Sequence, residues 1–412
     1  MAREKVLIVG GGFGGVKAAL ELAHDDRFSV TLLSDQPYLR YYPTLYHTAT
    51  GGKGANSNIP LARLFEGKAI KLVHGRAISI DKKLKTVSTE AQQSLVYDSL
   101  IISLGVVTNY FGIPGLQEFS YGIKSITEAN RLKAHLHQQL IDDNKPDLNY
   151  VVIGAGPTGI EMAGVLPSYL RDIMAKHGIT PRKIHIDLIE AQPNLLPRLP
   201  RDTSRMVQRQ LKRLGIKLYL GQAVQAQTAD ELMVNGKPIR SHTVIWTAGV
   251  TNHPFFKENG FALTNRGKVS VDAYLQAEDN IFVIGDNANT PYSGLAQTAI
   301  VDGIFVAKNL RRRKSGKDLH SYKAKRPITA IPAGTNWAAV IWGGLRIYGR
   351  AGWVLRELGD VRGFLDYESL PDALAQWTTE FGQEDDCHVC NRAPAPQSAT
   401  SLAIAASTKP TS

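Results

Sequence analysis

The 412-residue chain has two cysteines, Cys387 and Cys390, and none among residues 1–386. That scarcity excludes a disulfide scaffold and any chemistry needing a thiol pair inside the globular part of the chain. A reducing compartment is the natural reading. No run of about 18 apolar residues occurs, so a membrane-spanning helix is not expected. Met1-Ala2-Arg3-Glu4-Lys5 passes straight into a strand-like run, and no signal peptide is expected there. Acidic residues are the scarcer charge, 37 against 48 Lys plus Arg, and the formal net charge of +11 favours anionic partners, nucleic acid or an anionic membrane surface. The length allows two or three domains with proper cores, and a composition of 43% hydrophobic and 21% charged residues is that of a globular protein.

The chain alternates buried apolar runs with helical patterns. Lys5–Val9 and Val30–Leu33 read as buried parallel strands around a helical stretch, Val16–Ala23. A strand-and-hairpin region fills Ile70–Val96, and Leu100–Gly105 is an apolar run ending in glycine. The pattern then restarts: a helix over Thr127–Leu140, a strand over Tyr150–Ile153, a helix over Ile160–Leu170 and a strand over Ile184–Ile189. Val244–Gly249 repeats the apolar run into glycine, and Asn280–Asp286 is the last core strand. This alternation predicts an α/β fold with parallel sheets. The restart predicts two Rossmann-like dinucleotide-binding domains, the second inserted in the first, over residues 1–120 with 264–326 and over 121–263. A C-terminal segment, 327–386, and a disordered Ala/Ser/Thr/Pro-rich tail, 387–412, follow.

Two glycine turns carry the chemistry. Gly10, Gly12 and Gly15 stand in G-x-G-x-x-G register after a strand and before a helix. Such spacing gives a tight turn, close backbone approach to a pyrophosphate and close strand–helix packing, with helix N–H groups offered to the phosphates. The ribose-binding position at the next strand end falls on Ser34-Asp35, an irregular match. Gly154, Gly156 and Gly159, with Ala155, Pro157 and Thr158 between them, repeat the arrangement, and Glu190 ends the next strand. A carboxylate there accepts from a ribose 2′-OH and repels a 2′-phosphate. No arginine follows immediately, so NADH is expected over NADPH. Two dinucleotide sites in one chain point to a flavin plus a nicotinamide. Gly285-Asp286, after a strand and before the helix containing Gln297, fits a contact to the ribityl chain of FAD.

With these motifs in place the chain resembles the two-dinucleotide-binding-domain flavoproteins and, within them, the type II NADH dehydrogenases. The resemblance runs from residue 5 to about 355. It is carried by Gly10–Gly15 with Phe13 and Gly14, Tyr42-Pro43-Thr44-Leu45-Tyr46-His47-Thr48-Ala49-Thr50-Gly51, Tyr97-Asp98-Ser99-Leu100-Ile101-Ile102, Gly156–Glu161, Gly285-Asp286 and Ala296-Gln297-Thr298-Ala299. It implies bound FAD, oxidation of NADH, a quinone acceptor (ubiquinone or menaquinone) and monotopic attachment through the C-terminal region. It also implies that Glu161 lies near the isoalloxazine and assists proton uptake, that Gln297 approaches flavin and quinone, and that Pro43 and Tyr46 line the flavin pocket. Gly105 and Ala296 join the FAD set and Gly249 the NADH set. Its spacing puts Glu161 in the first turn of the helix, where the bland alternative is a glutamate favoured by the helix dipole. The family's second glutamine would fall at Val301, where Val301-Asp302 stands instead, so a side-chain amide for a quinone oxygen is missing.

Cysteine counting excludes disulfide reductases and sulfide:quinone reductases, leaving direct transfer from the flavin. Cys387-His388-Val389-Cys390 has zinc or redox-pair spacing but no second pair, and an incidental pair in a loose tail reads as well. Lys308–Arg326 holds nine cations and one acid, Asp318, and Trp337, Trp342, Tyr348 and Trp353 follow among arginines. This predicts an interfacial segment on the cytoplasmic face of the cell membrane, the alternative being a helix packed on the protein's own core or on a homodimer partner. No nucleic-acid recognition motif is present. The function expected is NADH:quinone oxidoreduction without proton pumping. Alternatives are an NADH-dependent reductase of a soluble redox protein and a flavoprotein whose nucleotide state controls an interaction.

Overall fold

A computed structural model describes residues 3–52, 57–141 and 149–378; the Cys387/Cys390 motif and the tail lie outside the described residues. Strands Glu4–Val9, Phe28–Ser34, Ile70–His74, Ser99–Ile102, Ile281–Val283 and Gln276–Glu278 form one six-stranded sheet. The first strand pairs in parallel with Phe28–Ser34 on one side and Ser99–Ile102 on the other. Only Gln276–Glu278, at the edge, runs antiparallel. This sheet therefore draws on two distant stretches of chain. Between them, Asn149–Ile153, His185–Glu190, Lys217–Leu220 and Thr243–Trp246 make a separate four-stranded parallel sheet. Strands buried on both faces read as continuous apolar runs, which is why Val6–Val9 and Tyr150–Ile153 stood out in the sequence.

A strand pair joins the halves, besides the packing of Tyr46 and Ala49 into the second half's core. Val106–Thr108 and Val250–Asn252 pair antiparallel. Asn287 locks them: its Nδ2 donates to the Gly105 carbonyl (2.6 Å) and to Asn252 Oδ1 (2.6 Å), and its Oδ1 accepts the Gly105 N–H (2.9 Å).

Helices are longer than the periodicity alone predicts. The first runs Phe13–Leu22, the Glu161 helix Pro157–Lys176, and the Gln297 helix Ala296–Lys314. The Gln297 helix lies so close to the first helix that a Cβ on Gly303 would sit 2.5 Å from the Gly14 carbonyl oxygen. The C-terminal segment differs from the interfacial stretch expected of it. Ala338–Trp342 is the middle strand of a three-stranded antiparallel sheet with Thr329–Pro332 and Leu345–Gly349, and Ala338 to Ile341 are buried. Trp337 stacks on Tyr348, and of this run only Trp342 projects, 55% exposed. Helices Arg350–Phe364 and Leu370–Thr378 complete the described chain.

Candidate active site

The two glycine turns have the same anatomy. Gly10 has φ +114° and Gly154 φ +102°, and a Cβ would meet the Ser103 carbonyl oxygen at 2.2 Å in the first turn and the Ala248 Cα at 2.6 Å in the second. The third glycines, Gly15 and Gly159, press on the carbonyls of Gly10 and Gly154. The middle ones face space: nothing lies within 4 Å of a Cβ on Gly156, and only the Ser103 carbonyl oxygen approaches that of Gly12, at 3.9 Å. Gly12 and Gly156 are the N-caps of their helices. Neither helix has a side-chain cap or an acid in its first turn, so first-turn N–H groups remain for an anion. Both turns fit a dinucleotide pyrophosphate on these grounds.

The strand ends beyond them differ. Ser34 is buried, and its Oγ donates to the Gln36 carbonyl (2.8 Å), so the exposed carboxylate at this end is Asp35. Glu190 reaches across to the second turn: Oε2 accepts the Ala155 N–H at 2.7 Å and Oε1 the Gln192 N–H at 2.8 Å. Each oxygen keeps a lone pair for a ribose hydroxyl. At Gly249 a Cβ would meet the Phe111 ring at 2.5 Å, so this glycine accommodates a neighbouring loop.

Asp286 follows Gly285, whose φ is +68°. Burial raises its pKa, opposed by Lys268 and Lys124. Lys268 Nζ donates to the Asp286 carbonyl (3.2 Å), and Lys124 lies 5.7 Å from the Tyr42 ring centre, as does Arg40. The spacing of the glycines gave no sign of these cations, because they come from remote segments. Ala296 opens the Gln297 helix. The Gln297 amide is committed to the backbone of Ile328, donating to its carbonyl (3.0 Å) and accepting its N–H (3.1 Å). Bonding to an acceptor would require those two bonds to open.

Glu161 stands in the second turn of its helix, not in the first turn expected from the spacing, because the helix already begins at Pro157. It keeps some accessible surface yet lies deep among protein atoms, and burial pushes its pKa up to about 8. The Arg356 charge opposes that rise and the Asp360 charge adds to it. Arg356, Glu357 and Asp360 form a buried charged group on Arg350–Phe364 that sequence reasoning missed. Arg356 Nη1 is 2.8 Å from Glu357 Oε1, and Nη2 is 2.9 Å from Asp360 Oδ2. Trp377 Nε1 donates to Glu357 Oε2 (3.0 Å). The guanidinium lies 5.9 Å from the Tyr46 ring centre, and Tyr46 packs on His47 at 4.1 Å. Burial and the Arg356 charge together push His47 down to about 3, so its ring is neutral at any ordinary pH. Pro43 sits in the short 3₁₀ turn, Tyr42–Thr44, that precedes Tyr46.

This arrangement is that of a two-dinucleotide flavoprotein with a buried acid on the helix after the second glycine turn. Residues 4–303 match the model of the pyridine nucleotide-disulphide oxidoreductases, and the chain belongs to that family. It is an oxidoreductase whose cofactors are FAD and a pyridine nucleotide. The matched residues supply no disulphide, since residues 1–386 lack cysteine. A relative from Staphylococcus epidermidis named type II NADH:quinone oxidoreductase is 26% identical over 385 residues, covering 87% of this chain and 95% of the relative. One of the same name from Staphylococcus aureus is 26% identical over 386 residues, with the same coverage. Two solved structures share the fold. NDH2 from Plasmodium falciparum, in complex with NADH, has TM-score 0.81 and 17% identity over 92% of this chain and 97% of that one. The sulfide:quinone oxidoreductase of Aquifex aeolicus has TM-score 0.74 and 20% identity over 96% and 100%.

Proposed function

We propose that the chain oxidises NADH and reduces a membrane quinone through bound FAD, without pumping protons, as a peripheral protein of the cytoplasmic membrane face. Residues 1–120 and 264–326 would hold FAD, and residues 121–263 NADH. FAD, when bound, accepts a hydride from NADH and returns two electrons to an acceptor. Gly12 and Gly156 with their helix N-termini would seat the two pyrophosphates. Asp286, held between Lys268 and Lys124, would take the ribityl chain, and Glu190 the ribose of NADH. Glu161, kept protonated at neutral pH by its burial, would hold the proton that a reduced quinone takes up.

One observation carries this reading: the helix Arg350–Phe364 buries a charged group and turns apolar side chains outward. It buries Arg356, Glu357 and Asp360 along with Phe364, and exposes Val354 (50%) and Leu358 (60%) beside Arg350 and Arg362; Leu365, just past its end, is exposed as well (36%). Leu370 and Leu374 on the next helix, and Trp342 and Leu345 in the hairpin, extend the exposed apolar surface. A helix with charge inside and leucine outside suits an apolar medium, and its charged side lies by Tyr46, His47 and Glu161. No helix among the described residues is long and apolar enough to cross a membrane, which accords with a protein lying on one.

The basic run supports the membrane less than its composition promised. Arg311 pairs with Glu21, and Arg313 and Lys314 with Glu4. These cations end a 19-residue helix that begins at Ala296, so they stand roughly 22–27 Å from its flavin end at about 1.5 Å per residue.

The test is anaerobic. NADH should bleach the flavin absorbance of the purified protein, and a short-chain quinone should restore it, faster with lipid vesicles present. Bleaching without restoration by any quinone would sink the quinone assignment and favour a soluble redox protein as acceptor.

A further inference from the structure

The Val301-Asp302 pair, which removes an amide from the acceptor side, places a carboxylate under the flavin turn. Asp302 is fully buried within the Gln297 helix. Its Oδ2 accepts the Gly285 N–H at 3.0 Å, and its Oδ1 accepts the Tyr322 hydroxyl at 2.5 Å. Gly285 takes φ +68°, and a Cβ on it would lie 3.2 Å from Ala299 Cβ, so the turn presenting Asp286 is pressed onto the same helix that Asp302 occupies. Tyr322 is anchored in its turn. Its N–H donates to the Ala273 carbonyl at 2.7 Å, and its ring packs edge-on against Phe305 at 5.1 Å.

A buried carboxylate is costly unless its oxygens are satisfied. Here each oxygen has one donor, and one of the two is the backbone of the flavin turn. We propose that Asp302 is a positioning residue for FAD: its ionised carboxylate holds the Gly285 N–H, and with it the Gly285-Asp286 turn, in the conformation that grips the ribityl chain. This deepens the flavin reading of Gly285-Asp286 and rests on it.

The ionisation of Asp302 is poised to matter. Burial pushes its pKa up to about 6, with the Asp286 charge adding to the rise and the Tyr322 and Gly285 bonds opposing it. The charged and titratable groups around it are Tyr322, on the segment packed against its helix, and Asp286, which in turn faces Lys268 and Lys124. Protonation turns one acceptor oxygen into a donor, and two incoming donors then compete for what remains.

The test follows FAD release from the holoprotein by the rise in flavin fluorescence on dilution, between pH 5 and pH 8. Wild-type release should quicken as pH falls through about 6. Asp302→Asn keeps the shape and one acceptor but cannot ionise. At neutral pH it should release FAD about tenfold faster, the size of a lost charge-assisted hydrogen bond. Its release should also lack the acid step, apart from any contribution of Asp286. Tyr322→Phe removes a bond that favours the ionised form, so its acid step should move to higher pH. A merely structural contact would change the rate alike at every pH. Wild-type release rates in Asp302→Asn, or an unaltered pH step in both variants, would overturn the proposal. NADH takes no part in this measurement, so failure of NADH to bleach the flavin would leave it standing.

Discussion

In the proposed function Glu161 holds the proton for the acceptor, and its environment makes a signed prediction. Its carboxyl is pushed from the ordinary 4.5 to about 8, chiefly by burial. At neutral pH it is therefore protonated and able to give a proton to an acceptor as electrons arrive. Quinone reduction should fall as pH rises through about 8. Glu161→Gln should lose that limb of the profile and slow the acceptor half-reaction about a hundredfold, the low end for a lost general acid. The effect on stability runs in the same direction with pH. Because the folded pKa lies above the unfolded one, the fold binds the extra proton between 4.5 and about 8, and stability falls as pH rises across that window. Glu161→Gln should gain in thermal midpoint over wild type between pH 5 and pH 9. A constant difference across that range would show that the acid is not buried as described. Sequence spacing could place Glu161 in the opening turns of its helix, but it could not choose between a dipole-favoured surface acid and a buried one. The choice is made by Arg350–Phe364, which arrives from nearly two hundred residues away with Arg356 and Asp360.

At the scale of elements, the strands and glycine turns were legible because each is local. A run such as Val6–Val9 buried on both faces has one physical reading, and a glycine whose Cβ would strike a carbonyl at 2.2 Å has no substitute. The C-terminal segment was not legible for an equally physical reason. Periodicity tells that a helix has an apolar face and a charged face; it does not tell which is turned inward. Arg350–Phe364 turns Arg356, Glu357 and Asp360 in and leaves Arg350 and Arg362 out. The Trp337–Trp342 run was read as lying in a headgroup layer, yet Ala338 to Ile341 form the buried centre of a sheet. Gly352 shows the constraint, since a Cβ there would meet the Ala338 carbonyl oxygen at 2.3 Å and push helix and sheet apart. If the outward face meets lipid, Leu358→Glu should reduce co-sedimentation with lipid vesicles several-fold. It should leave folding stability within about 0.5 kcal/mol, as for other exposed positions. Unchanged vesicle binding would return the face to a homodimer partner, to be seen by comparing the mass in solution of wild type and variant.

At the scale of the whole molecule, the architecture separates two half-reactions. The sheet holding Asn149–Ile153 and the sheet holding Glu4–Val9 centre separate cores, and the halves meet through the paired strands Val106–Thr108 and Val250–Asn252, fastened by Asn287, and through Tyr46 and Ala49, which pack into the second core. A change at the ribose end of the second glycine turn should therefore reach the nicotinamide step and stop there. Glu190→Gln keeps one oxygen to accept the Ala155 N–H and loses the charge that repels a 2′-phosphate. Its KM for NADH should rise about tenfold, as for one weakened charge-assisted bond, while the preference over NADPH narrows. Its FAD release rate and the reoxidation of reduced flavin by quinone should match wild type. Leu358→Glu should show the converse: normal bleaching by NADH and slowed turnover with a lipid-dissolved quinone. Stopped-flow traces of the two half-reactions in both variants decide the matter. If Glu190→Gln slowed reoxidation as much as bleaching, the halves would be coupled through the Asn287 junction, and the two sites would have to be treated as one.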